Sequence, residues 1–184
     1  MTDQERQTDY ETNAQQPWRW HSAADNLFEA AAHLYRVHGN AIRDITTSGG
    51  GGVPSGFFMD HQAHYLEGKC IELYVKCLLV KSGTRVTEDG KVMRDIATHD
   101  LLTFCHKAGS HTTASEDATL GKLTEAIKFW GTYPIPINVK SWRPEIAGIE
   151  GVPPIRFWNP IDTTNYTHLV DRVRERIGPI EFSS

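Results

Sequence analysis

The sequence predicts an all-α fold, an up-and-down bundle of four to five helices with a proline-rich, partly extended insertion. Three observations predict it. Apolar residues recur at spacings of three and four along several separate stretches, the period of an amphipathic helix. One stretch, Phe57 to Lys81, is apolar on every side, through Tyr65, Leu66, Cys70, Ile71, Leu73, Tyr74, Val75, Cys77, Leu78, Leu79 and Val80; such a helix needs other helices around it. Finally, Pro134, Pro136, Pro144, Pro153, Pro154 and Pro160 crowd one segment and exclude a continuous helix there.

The elements follow in chain order. Residues 1–16 are rich in Gln, Thr, Asp and Glu, and the expected disordered tail runs over residues 1–20, with order setting in at Trp18 and Trp20. Residues 21–184 form a single helical-bundle domain. Ser22-Ala23-Ala24-Asp25 has the form of a capping box, and Leu27, Ala31, Leu34, His38 and Ala41 then mark one helical face that ends before Thr47-Ser48 and the run Gly49 to Gly52. The central helix begins near Phe57 and stops at Ser82-Gly83. Val86 and Val92 flank Asp89-Gly90, a two-residue hairpin signal.

A short third helix spans Asp100 to Ala108, with Leu101, Leu102, Phe104 and Cys105 inward and Gly109 at its end. In a fourth, Leu120, Leu123, Ile127 and Trp130 repeat at three, four and three before Gly131. Ile135, Ile137, Val139, Ile155 and Phe157 then suggest short extended pieces within the proline-rich segment. The last helix starts at Asp162 or Thr163, turns Tyr166, Leu169 or Val170, Val173 and Ile177 to the core, and ends at Gly178-Pro179. The expected core joins Leu27, Leu34, Ile71, Tyr74, Leu78, Leu102, Leu123, Ile127 and Leu169.

Composition narrows the function. No apolar run approaches the roughly 20 residues that span a bilayer, so no membrane role is expected. The N-terminus lacks the basic and apolar regions of a signal peptide, which makes a cytoplasmic location the expectation. Cys70 and Cys77 lie on one helical face and Cys105 in an apolar stretch, and no CxxC pair exists, so all three read as small core residues. A formal charge of −4 argues against a surface that coats nucleic acid broadly, while leaving room for a local basic pocket.

Several motifs combine. The long second helix carries Glu67-Gly68-Lys69, Glu72-Leu73 and Lys76; Thr98-His99-Asp100-Leu101-Leu102 opens the short helix; Thr132-Tyr133-Pro134 follows the fourth. In this order and flavour, over roughly residues 22–134 and the last helix, the chain resembles the HEPN superfamily of small helical bundles. The resemblance implies a nucleotide-, RNA- or partner-binding regulatory module, often a homodimer, accompanying nucleotidyltransferase-like proteins in toxin–antitoxin or defence systems. It implies no cofactor and no metal. Many members cleave RNA through an Arg-x4-His type of motif, matched here by Arg94 and His99. The alternative function is therefore a metal-independent endoribonuclease, in which the Arg94 guanidinium grips a phosphate and the His99 imidazole moves a proton. Asp100, His61, His64 and Tyr133 complete the expected binding residues.

Other constellations are weaker. Asp60, His61, His64 and Glu67 share part of a helix, but a metal would need further ligands from another element, with His33, His38 and His106 as candidates outside any Glu-x-x-His pair. Gly51 to Gly56 has the outer glycines of a phosphate loop, yet Phe57-Phe58 replaces the residues that would bind phosphate and magnesium. Arg172, Arg174 and Arg176 interleave with Asp171 and Glu175, as on a solvated face. Trp142, Phe157 and Trp158, with Arg143 and Arg156 nearby, suit pinning the proline-rich segment to the bundle better than stacking a base.

Overall fold

A computed structural model describes residues 1–48, 59–130 and 158–180. Residues 131–157 of the proline-rich insertion, with Tyr133, Trp142, Arg143, Arg156 and Phe157, lie outside the described residues, as do the glycine run and Phe57; Pro160 instead opens the last helix. Within them the chain is an all-α bundle: α1 (Asp3–Ala14), α2 (Pro17–Ser48), α3 (Met59–Lys81), a hairpin of β1 (Thr87–Glu88) and β2 (Lys91–Val92), α4 (Leu101–Lys107), α5 (Ala114–Glu125) running into a π-helical turn (Ala126–Trp130), and α6 (Pro160–Ile177). None of these helices is long and apolar enough to cross a membrane.

α3 is the hub. From Ala63 to Val80 nearly every residue is buried, and α2, α4, α5, the π turn and α6 all pack on it. α2 lies antiparallel to it: the Cys77 thiol meets the Pro17 carbonyl, Tyr74 meets Asp25, and Tyr35 meets His64. Buried alanines at 24, 31 and 41 let α2 approach closely. α6 runs parallel to α3, because Lys81 at the end of α3 donates to the carbonyls of Ile177 and Pro179 at the end of α6. α5 runs against α6, with Glu116 at Arg172 and Lys122 at Asp162.

Of the expected core, Ile71, Tyr74, Leu78, Leu123, Ile127 and Leu169 are buried, while Leu27, Leu34 and Leu102 are only partly so. α2 starts five residues before Ser22, with Pro17 at its first position, where the missing N–H is no loss. Asp25 consequently sits inside α2 and serves Tyr74 and Arg174 rather than a cap. Asp100, expected as the first residue of the short helix, stands just before it as the cap of α4, accepting from the Thr103 N–H at 3.1 Å. The hairpin turns through Asp89 (φ 49°) and Gly90 (φ 70°), the paired left-handed geometry that a two-residue connection requires. The three arginines of α6 are clasps rather than a solvated face. Arg172 holds Glu116 and the His111 carbonyl, Arg174 holds Asp25, and Arg176 holds Ser110 and the Ala108 carbonyl.

The expected tail needs correction. Residues 3–14 form α1, opened by a full capping box between Thr2 and Glu5. A reading that looks for apolar anchors misses it, since α1 buries no residue. Polar bonds to the hairpin hold it instead. The Val86 N–H donates to Gln15 Oε1 at 2.9 Å, Gln15 Nε2 donates to the Thr84 carbonyl at 3.2 Å, and the Gly90 N–H donates to Glu11 Oε1 at 2.9 Å. The Gly90 amide bond, with Gln7 and Arg85 assisting, holds the Glu11 carboxyl below its usual range.

Gln15→Ala removes the partner of the Val86 amide, a bond worth about 1 kcal/mol. Exchange of that amide accelerates roughly two- to tenfold, read by hydrogen exchange, while amides of α3 keep their rates. A second expectation concerns Gly68, where a Cβ would sit 2.8 Å from Ile127 Cγ1 and 3.0 Å from the Leu123 carbonyl oxygen. Gly68→Val forces α3 and the π turn apart and costs about 1–3 kcal/mol in urea unfolding.

Candidate functional site

Lys69, Glu72, Leu73 and Lys76 stand at i, i+3, i+4 and i+7 on α3 and so share one face. Glu72 is its centre. Its side chain is 1% exposed, and it accepts from Lys69 Nζ at 2.9 Å, from Lys76 Nζ at 2.6 Å and from His99 Nδ1 at 2.9 Å. Burial alone would push the Glu72 carboxyl up; the charge and hydrogen bond of Lys76, with the bonds from Lys69 and His99, outweigh it and hold the group below its ordinary 4.5. One carboxylate against two ammonium groups leaves the cluster net positive.

His99 arrives on a braced loop. The Met93 N–H donates to the Val86 carbonyl, and the Ile96 and Ala97 amides both turn back to the Met93 carbonyl. Ile96 is fully buried, the Asp100 N–H donates to Thr98 Oγ1, and the Leu101 N–H donates to Thr124 Oγ1. An ionised carboxylate only accepts, so Nδ1 of His99 carries the proton given to Glu72. In the neutral ring Nε2 then holds the lone pair. With the side chain 45% exposed, that nitrogen belongs to a group that outside molecules can reach. A carboxylate fixing an imidazole through Nδ1 is the arrangement that orients a general base.

The other expected residues have different settings. Arg94 is exposed on the turn ahead of His99, and no hydrogen bond or ion pair among the described residues holds it. Asp100 is occupied as the α4 cap. His64 is buried elsewhere along α3, where Tyr35 donates to Glu67 at 2.7 Å, His64 Nδ1 lies 2.5 Å from the Tyr35 oxygen and the Trp158 ring stacks on the imidazole at 4.2 Å. His61 is half-buried one turn before it. Tyr133 lies outside the described residues. Sequence reasoning missed the role of Glu72, Lys69 and Lys76, although charged residues at i, i+3 and i+7 in the most apolar helix of the chain are themselves a signal of internal pairing.

Two further groups have structural duties. His21 Nδ1 lies 3.0 Å from Asp25, which also receives bonds from Tyr74 and Arg174, tying α2 to α3 and α6. Burial pushes the thiols of Cys70 and Cys105 up to about 12 and that of Cys77 to about 11, so none serves as a nucleophile near neutrality. Among the described residues, no group of three or more His, Cys, Asp or Glu is arranged to hold a metal ion. No protein-family model matches this chain, and no curated protein or solved structure matches it significantly.

Glu72→Gln leaves Lys76 enclosed without its counter-charge and costs about 3 kcal/mol of stability at neutral pH. Because the folded carboxyl titrates below its ordinary value, its contribution is complete above about 4.5 and is lost as pH falls through the folded pKa. The stability gap between wild type and Glu72→Gln, measured by denaturant unfolding, therefore narrows as pH is lowered beneath that point.

Proposed function

We propose that this chain is a HEPN-like regulatory module that binds a nucleotide or RNA, taking a phosphate on the edge formed by Lys69 and His99, with buried Lys76 adding its charge from behind. One observation carries the reading: the half-exposed His99 imidazole, pinned at Nδ1 by buried Glu72 between two lysines. The cluster is positive, preorganised and open on one side, which is what a phosphate oxygen requires of a protein surface. The resemblance supports a homodimer acting beside a nucleotidyltransferase-like partner, in a toxin–antitoxin or defence setting.

The same imidazole favours a second reading, metal-independent endoribonuclease. In that reaction Nε2 of His99 takes the proton of the ribose 2′-hydroxyl while the 2′-oxygen attacks phosphorus. The bond to the 5′-oxygen breaks, the 5′-oxygen takes up a proton, and a 2′,3′-cyclic phosphate remains. Arg94, exposed and without an ion pair among the described residues, is the group to steady the phosphate.

Labelled single-stranded RNA, followed by fluorescence anisotropy and on denaturing gels, separates the two. For the binding module, His99→Ala and Lys69→Ala each weaken association about tenfold and the RNA stays intact. For the nuclease, cleavage persists with a chelator, leaves a cyclic phosphate, and falls at least about a hundredfold in His99→Ala and in Arg94→Ala. Affinity and cleavage unaffected by all three substitutions would remove this edge from the function.

A further inference from the structure

Beside the Glu72 face runs an apolar groove of about 320 Å³, walled by Tyr10 and Ala14 of the α1 segment, Trp20 and Ala23 of α2, Leu73 of α3 and Val92 of the hairpin. Tyr10 and Val92 are 41% and 37% exposed, two of the few large apolar residues left open to solvent among the described residues. Trp20 is fixed within the groove. Its indole N–H donates to the Ala14 carbonyl at 2.7 Å, and Lys76 Nζ lies 5.5 Å from its ring centroid. Lys76 thus belongs to both places, bonding Glu72 and resting over Trp20. Leu73 in the groove is one residue from Glu72 and one helical turn, about 5.4 Å, from Lys69.

Resting on the phosphate-binding reading above, we infer that this groove receives an unpaired base of single-stranded RNA whose phosphate sits at Lys69 and His99. The complementarity is of two kinds. A rigid indole and an exposed phenol present flat apolar surface to a base, while Lys69 on the adjoining turn of α3 presents positive charge, and His99 beside it a hydrogen-bonding ring nitrogen, to the backbone one nucleotide away. Aromatic platforms beside a cationic track are how proteins hold single strands. Duplex RNA hides its base faces in the stack and is not a ligand of this groove.

The test compares three probes by anisotropy: a short single-stranded RNA, a ribose-phosphate oligomer of equal length without bases, and the duplex. Wild type prefers the single strand to both others. Trp20→Leu and Tyr10→Ala weaken the single strand by roughly fivefold or more and leave the base-free oligomer unchanged, whereas His99→Ala weakens both. Should Trp20→Leu lose its helical circular dichroism, Tyr10→Ala, at an exposed position, decides. Wild-type affinity in the two aromatic variants, with His99→Ala still defective, overturns the base groove and leaves the phosphate edge standing. Absence of any RNA binding by wild type overturns both.

Discussion

A helix enclosed on all sides must satisfy its polar side chains from within the protein, and α3 is such a helix. His64, Glu67, Glu72 and Lys76 are each no more than 9% exposed. An unpaired charge in such a place costs several kcal/mol, so each polar position on α3 obliges a neighbour to answer it. Tyr35 of α2 answers His64 and Glu67; Asp25 of α2 answers Tyr74, with Arg174 of α6 closing the group; His99 answers Glu72 from the loop before α4. These answers fix how far each element may slide along α3. Apolar contact alone would tolerate several registers; the polar nodes allow one.

The same requirement shapes the functional edge. Glu72 could be satisfied by Lys76 and Lys69 alone, yet it also accepts from an imidazole that keeps nearly half its surface in solvent. Lys69 and Lys76 already supply counter-charge from α3 itself, so the charge balance of Glu72 does not rest on the third partner. What the third bond does achieve is orientation, because it settles which ring nitrogen carries the proton and where the other one points.

Much of this fold was legible from periodicity. The enclosed character of α3, the hairpin at Asp89-Gly90, the place of the short α4 and the apolar phase of α6 all follow from residue spacing and local backbone preference. α1 was not, because its anchors are side-chain amides and carboxylates bonded to a hairpin some seventy residues away in sequence. A composition that reads as disorder is then compatible with a docked helix. At the site, His99 could be singled out from its neighbours in the chain, but its partner could not. Glu72 is 27 positions earlier, and only the packing of the 93–100 loop against α3 brings the two together. Arg94 shows the converse, a fitting spacing in sequence that no hydrogen bond or ion pair among the described residues holds in place.

The anchoring of α1 also sets a sequence of events during synthesis. Its acceptors and donors, Thr84, Val86 and Gly90, leave the ribosome long after α1 itself, and the two-residue strands that carry them are too short to persist unaided. α1 therefore waits, and the closure of its long loop comes late in folding, after the local helical contacts of α2 and α3. With no buried side chain it likewise opens readily in the finished protein. Tyr10 rides on it, so this wall of the Trp20 groove assembles late and swings away readily.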